Sequence, residues 1–311
     1  MDFGFQREEP TSEGVKRIAR EQLERAAAEL SAADPEVDLR VHSVRKRIKK
    51  LRGLLRLVRP SLGEEVFRRE NVRLRDAGRR LASARRARAI VGAFDALIEH
   101  DASALQESAR QSFRERLVQS RDQAIEALHG ESHAAEVQAV LEDILHGIDD
   151  WPVRGEGWKV VRGGFRRNYR TARRWMNACL ERPKTEHFHE WRKYAKHHFY
   201  HVRLLHRVWE APLGALAESL EHLTELLGSE HDLDDLRMAL LADPPPEELF
   251  QAAGTLLKAV EHRRAELRAE AFALGARVFA ESPASATRRF GRYFAAWRAE
   301  TGIDDGEDLD D

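Results

Sequence analysis

The sequence has one cysteine, Cys179, so no disulfide can close within the chain and a reducing compartment is expected. It has no apolar run of about 18 residues, the length needed to span a bilayer. The opening MDFGFQREEP has no apolar stretch suited to a signal peptide. These absences together predict a soluble cytoplasmic protein. Aromatic residues make up only 7% of the chain. Strand formers are sparse beside Ala, Leu, Glu and Arg, a balance that favours helix. There is no Gly-rich phosphate loop of the P-loop type and no Glu-x-Glu-x-Lys motif.

What the sequence does have is charge, 34% of its 311 residues, summing to −1. The distribution says more than the sum. Arg40 to Arg59 holds nine Lys or Arg and no acid, and Lys159 to Arg174 holds seven more, again without an acid. Acids gather elsewhere, notably in Asp304, Asp305, Glu307, Asp308, Asp310 and Asp311, read as a disordered acidic tail over 304–311. Segregated blocks within a neutral total point to an anion site.

Helix punctuation is dense. Thr11 or Ser12 can cap a helix that ends at Asp34-Pro35. A second runs from about Asp38 to Arg59 and stops at Pro60. Three or four amphipathic helices fill 62–148, with breaks near Ser83, Asp101 and Gly130. Trp151-Pro152 and Gly155-Glu156-Gly157 make the best loop signal and divide the chain into halves, 12–150 and 151–303. Helices are predicted at 158–181, 187–209, 213–228, 232–242, 247–281 and 285–300.

An internal repeat supports that division. VHSVRKRIKKLRGLLRLV from Val41 and FHEWRKYAKHHFYHVRLL from Phe188 share an apolar-His-x-apolar-Arg-Lys opening, with Lys four residues after the Arg. Later come LASARRARA from Leu81 and LGSEHDLDD from Leu227. The matched order suggests two similar helical bundles about a pseudo-twofold axis.

At about 100° per residue, Val41, Val44, Ile48, Leu51, Leu55 and Val58 form a core stripe. His42, Arg45, Lys49, Arg52 and Arg56 form a second stripe beside it. The counterpart stripe is His189, Arg192, Lys196, Tyr200 and Arg203, with Phe188, Trp191, Ala195, His198, Val202 and Leu205 as core. A solvated basic face is the plain alternative. Like charges three and four apart destabilise a helix, however, and a row of them is better understood if an external anion neutralises it. Arg matches phosphate oxygens with a planar fork, Lys supplies a mobile charge, and His can donate from either nitrogen. Lys46 and Lys193 adjoin the stripes. Lys16, Arg17, Arg20, Arg75, Arg79, Arg166, Arg170 and Arg173 are further candidate cations. Tyr169 and Tyr200 either bond phosphate or pack.

The paired His-x-x-Arg-x-x-x-Lys resembles the CHAD family, the conserved histidine α-helical domain. His42, Arg45, Lys49 and Arg52 match its first signature; His189, Arg192, Lys193, Lys196 and Tyr200 match its second. LGSEHDLDDL at Leu227–Leu236 resembles a further family segment. The likeness covers about residues 12–300. It implies an all-α fold of two four-helix bundles, a basic central groove, and binding of inorganic polyphosphate, with association to polyphosphate granules. Two departures stand out: Arg86 where an Asp matching Asp232 is expected, and Phe199 where an Arg usually precedes the tyrosine.

His231 with Asp232, Asp234 and Asp235 could suggest a metal phosphohydrolase. The competing assignment makes Asp232 a helix cap. His197 and His201 are expected to point away from His198, sharing no metal, and Cys179 is read as packed and inert. The expected protein is a non-enzymatic polyphosphate binder without metal or cofactor. A metal-dependent polyphosphate or nucleotide hydrolase and a single-stranded nucleic-acid binder are the alternatives. A groove too narrow for a duplex and lacking stacking aromatics disfavours nucleic acid.

Overall fold

The computed structural model describes residues 3–31, 37–81, 83–103, 105–126 and 134–300. The Asp34-Pro35 stop, the Gly130 break and the acidic tail fall outside the described residues. Those residues form α-helices joined by short turns and two single 3-10 turns, with no strand among them.

The first helices are α1 (Thr11–Ser31), α2 (Val37–Leu57), α3 (Arg59–Leu62), α4 (Glu64–Arg80), α5 (Ser83–His100), α6 (Glu107–Glu126) and α7 (Ala134–His146). There follow α8 (Trp158–Glu181), α9 (Thr185–Leu204), α10 (Glu210–Ala242), α11 (Phe250–Val278) and α12 (Pro283–Ala299). The start of α1 is satisfied from a distance. Glu156 accepts the Thr11 N–H at 2.8 Å and the Ser12 hydroxyl, placing a carboxylate at the positive helix end. The loop between the predicted halves is thereby tied to the first helix.

α1 packs on α2 and α7, and α4 packs on the same two helices, closing a ring of four. Farther along, α9 packs between α8 and α10, α11 lies on α10, and α12 lies on α8. α5 pairs with α6 and also packs on α10, so one early helix lies against a late one. α2 reaches across to α8 and α9.

Two glycines set those crossings. A Cβ on Gly164 of α8 would lie 1.9 Å from the Leu57 carbonyl oxygen of α2, and a Cβ on Gly53 would lie 2.8 Å from the Tyr200 Cβ of α9. Beside Gly53, His201 Nε2 meets the Gly53 carbonyl at 3.1 Å. Because α2 is enclosed by four neighbours, its burial spreads past one stripe to Leu54 and Leu57.

One boundary differs from expectation. Segments 213–228 and 232–242 are a single helix, α10. Gly228 costs about 1 kcal/mol in a helix interior, but the apolar ladder Leu220, Leu223, Leu227, Leu233 and Leu236 continues through it. The Arg192 guanidinium lies 3.6 Å from where a Cβ at Gly228 would stand, an ordinary van der Waals distance. Asp232 is therefore inside a helix and caps nothing.

Candidate functional site

The two basic rows lie on helices in contact. A cleft of about 380 Å³ brings together Arg45 of α2, Arg86 of α5, His189 and Arg192 of α9, and His231, Asp232 and Asp235 of α10. The His189 and His231 rings are 5.3 Å apart. Partial desolvation, then the neighbouring His231, holds His189 below the ordinary histidine pKa. Asp235 accepts from Arg86 at 2.7 Å and lies 3.9 Å from His231.

Several row cations are anchored by neutral oxygens. Arg45 donates to the Gly78 carbonyl at 2.9 Å. Arg52 and Arg56 both donate to Asn71 Oδ1, at 3.2 and 2.8 Å. Burial lowers the pKa of each, that of Arg56 to about 10, which still leaves it charged at neutral pH. Arg75 and Arg79 act electrostatically on Arg52, placing them near the same face, although Asp76 pairs with both. Lys196 donates to Thr224 Oγ1 at 3.1 Å and lies over the Phe199 ring. Burial first, then Arg192 and Lys46, lower its pKa against the opposing pull of Glu221 and Glu225. His42 and Lys46 are exposed on α2, and Lys49 is half-buried beside them.

Other candidates have different surroundings. Tyr200 is 4% exposed and its ring packs on Phe3 and Phe199, so it belongs to the helix crossing. Lys193 is held by Glu190 at 2.6 Å. Arg203 lines a separate depression with Glu218 and Glu221. Arg17 is enclosed by Glu9, Glu21 and the Gly4 carbonyl, and Arg20 pairs with Asp149 at 2.5 Å. Tyr169 is buried against His198 and Phe279. Arg166, Arg170 and Arg173 lie on α8, where Arg170 and Arg173 flank a depression of their own with Pro283.

The histidines at 197, 198 and 201 are all buried, contrary to the expectation that only His198 faces the core. α9 is covered by α8, α10 and α2, so more than one of its faces is interior. Desolvation pushes all three below the ordinary pKa, His198 to about 3. Cys179 is buried, and burial raises its thiol pKa to about 12. Among the described residues, no group of three His, Cys, Asp or Glu is placed to hold a metal.

Sequence reasoning missed Asn71, Arg86, His231 and Asp235. Asn71 carries no pattern of its own. His231 and Asp235 flank Asp232, whose expected role as a helix cap is removed by the continuity of α10.

The CHAD domain family model matches residues 17–241. The chain therefore belongs to the CHAD domain family. It is similar in fold to the crystal structure of the CHAD domain from the plant Ricinus communis, with a TM-score of 0.51 and 18% identity over 94% of this chain and 93% of that one. No curated protein matches it. No helix among the described residues is long and apolar enough to cross a membrane.

Proposed function

We propose that the protein binds inorganic polyphosphate, without turning it over, along the groove where α2 and α9 cross. The observation that carries this reading is the meeting of two basic rows, Arg45, Lys49, Arg52 and Arg56 with Arg192 and Lys196, on helices packed together. A linear chain of phosphates supplies the repeated negative charge that such a surface calls for, with affinity gained by counterion release. Membership of a family associated with polyphosphate supports the choice of ligand.

Binding is favoured over hydrolysis by the pairing of Asp235 with Arg86, since this carboxylate, 3.9 Å from His231, already neutralises a cation. We further read the chain as a duplicated unit with halves 12–150 and 151–303, built as two four-helix bundles. A cytoplasmic location, on polyphosphate granules, follows from the same reading.

The test is a titration with polyphosphates of defined length beside single-stranded DNA at several salt concentrations, with phosphate release followed in Mg²⁺. Tight, salt-sensitive binding of polyphosphate without release is expected. Release of phosphate would establish a hydrolase, and stronger binding of the oligonucleotide would displace polyphosphate as ligand.

A further inference from the structure

The arginines of α8 differ in kind from those of the groove. Lys159, Arg162, Arg166, Arg170 and Arg173 recur at spacings of three and four, a row about 21 Å long. Gly164, against Leu57 of α2, and Asn168, whose amide donates to the Tyr194 carbonyl of α9 at 3.1 Å, mark the faces turned toward the groove helices. Arg166 and Arg170 follow each by two residues, about 200° around the helix, and both are exposed.

Among the described residues, Arg162, Arg166, Arg170 and Arg173 make no ion pair and no side-chain hydrogen bond, in a chain whose 53 acids nearly match its 52 Lys and Arg. The nearest acid before the row, Glu156, caps α1, and the first one after it is Glu181, at the end of the helix. Four arginines at helical spacing with no acid paired to them oppose helix formation. A polyanion outside the protein removes that opposition.

Building on the reading of the α2/α9 groove, we propose that the outer face of α8 is a second polyanion track, engaged by polyphosphate chains long enough to leave the groove. One polymer held at two places gains avidity over either contact alone. The row lacks an open aromatic face for base stacking, since Arg174 covers the Trp175 ring, which favours polyphosphate over single-stranded nucleic acid.

The experiment compares wild type with the triple variant Arg166→Gln, Arg170→Gln, Arg173→Gln. The probes are long-chain polyphosphate, the shortest polyphosphate that wild type binds measurably, and single-stranded DNA. The variant is expected to keep short-chain binding, which also reports that it is folded. It should lose about tenfold or more in long-chain affinity, with a salt slope flatter by about two units. An unchanged long-chain affinity, the same proportional loss on both lengths, or a loss confined to DNA overturns the second track. Wild type failing to bind any polyphosphate is a separate result, which removes the groove reading as well.

Discussion

Arg86 Nη2 donates to Asp235 Oδ1 at 2.7 Å across 149 residues of sequence. The pair joins the two later repeat elements, LASARRARA and LGSEHDLDD, which the sequence aligns and the fold packs together through α5 and α10. Each carries the charge the other lacks. The arginine that departs from the expected Asp is therefore the partner of a carboxylate on α10.

Asp235→Asn should raise polyphosphate affinity several-fold, because it frees Arg86 and removes a negative charge from the cleft. Arg86→Ala should lower affinity. Stability should shift by no more than about 1 kcal/mol in either variant, as for other partly exposed pairs. Titration and urea melts of the two singles and the double check this.

Replacing Arg45 with Lys49, or Arg192 with Lys196, by Ala should weaken polyphosphate binding strongly and flatten its salt slope by about one unit per lost phosphate contact. Arg47→Ala should behave oppositely. Arg47 is bonded to Glu29 and reaches Gln22, so its loss should lower stability with little effect on binding. Equal binding losses from both sets would leave only diffuse charge attraction.

The crossing glycine offers a separate handle. Gly53→Ala should cost about 1–3 kcal/mol, the usual penalty of overpacking, because the new methyl meets Tyr200. If α2 yields to relieve the contact, the two rows move apart and affinity falls too. Chemical denaturation and titration on the same sample separate the effects.

Acidity should act on binding and stability in opposite directions. Bound phosphate raises the pKa of His189 above its depressed free value, so affinity should increase as pH falls below about 6.5. The gain is complete below the free-state pKa and lost as pH rises through the bound-state one. A difference of one unit is worth about tenfold. His42→Ala with His189→Ala should remove most of the effect and keep the salt dependence. His197, His198 and His201 are held neutral by burial, so the unfolded chain takes up more protons than the folded one. Stability should then fall as pH drops from about 6.5, by up to about 1.4 kcal/mol per pH unit for each histidine. Melting curves from pH 7 to 5 measure the slope.

The part of the fold legible in the sequence is the part written locally. The ends of α8, the start of α1 and the core stripe of α9 follow from periodicity and punctuation. The continuity of α10 does not, because Gly228-Ser229 resembles a stop and Asp232 a cap. What overrides them is the apolar ladder from Leu220 to Leu236, buried against neighbouring helices on both sides of Gly228. The site divides the same way. The rows on α2 and α9 are periodic and visible; Asn71, Arg86 and His231 reach them through tertiary packing, which no spacing encodes. The burial of His197 and His201 on α9 is not legible because a single core stripe underestimates a helix covered on three sides.

Arg52 and Arg56 are held by the Asn71 amide oxygen, a neutral acceptor that fixes a guanidinium without cancelling its charge. Ordering a long side chain on association ordinarily costs about 0.5–1.5 kcal/mol. Here much of that loss of freedom has occurred during folding. The groove thus meets its ligand with its cations already in position, so capture should be limited by diffusion and ionic strength, with little delay for rearrangement.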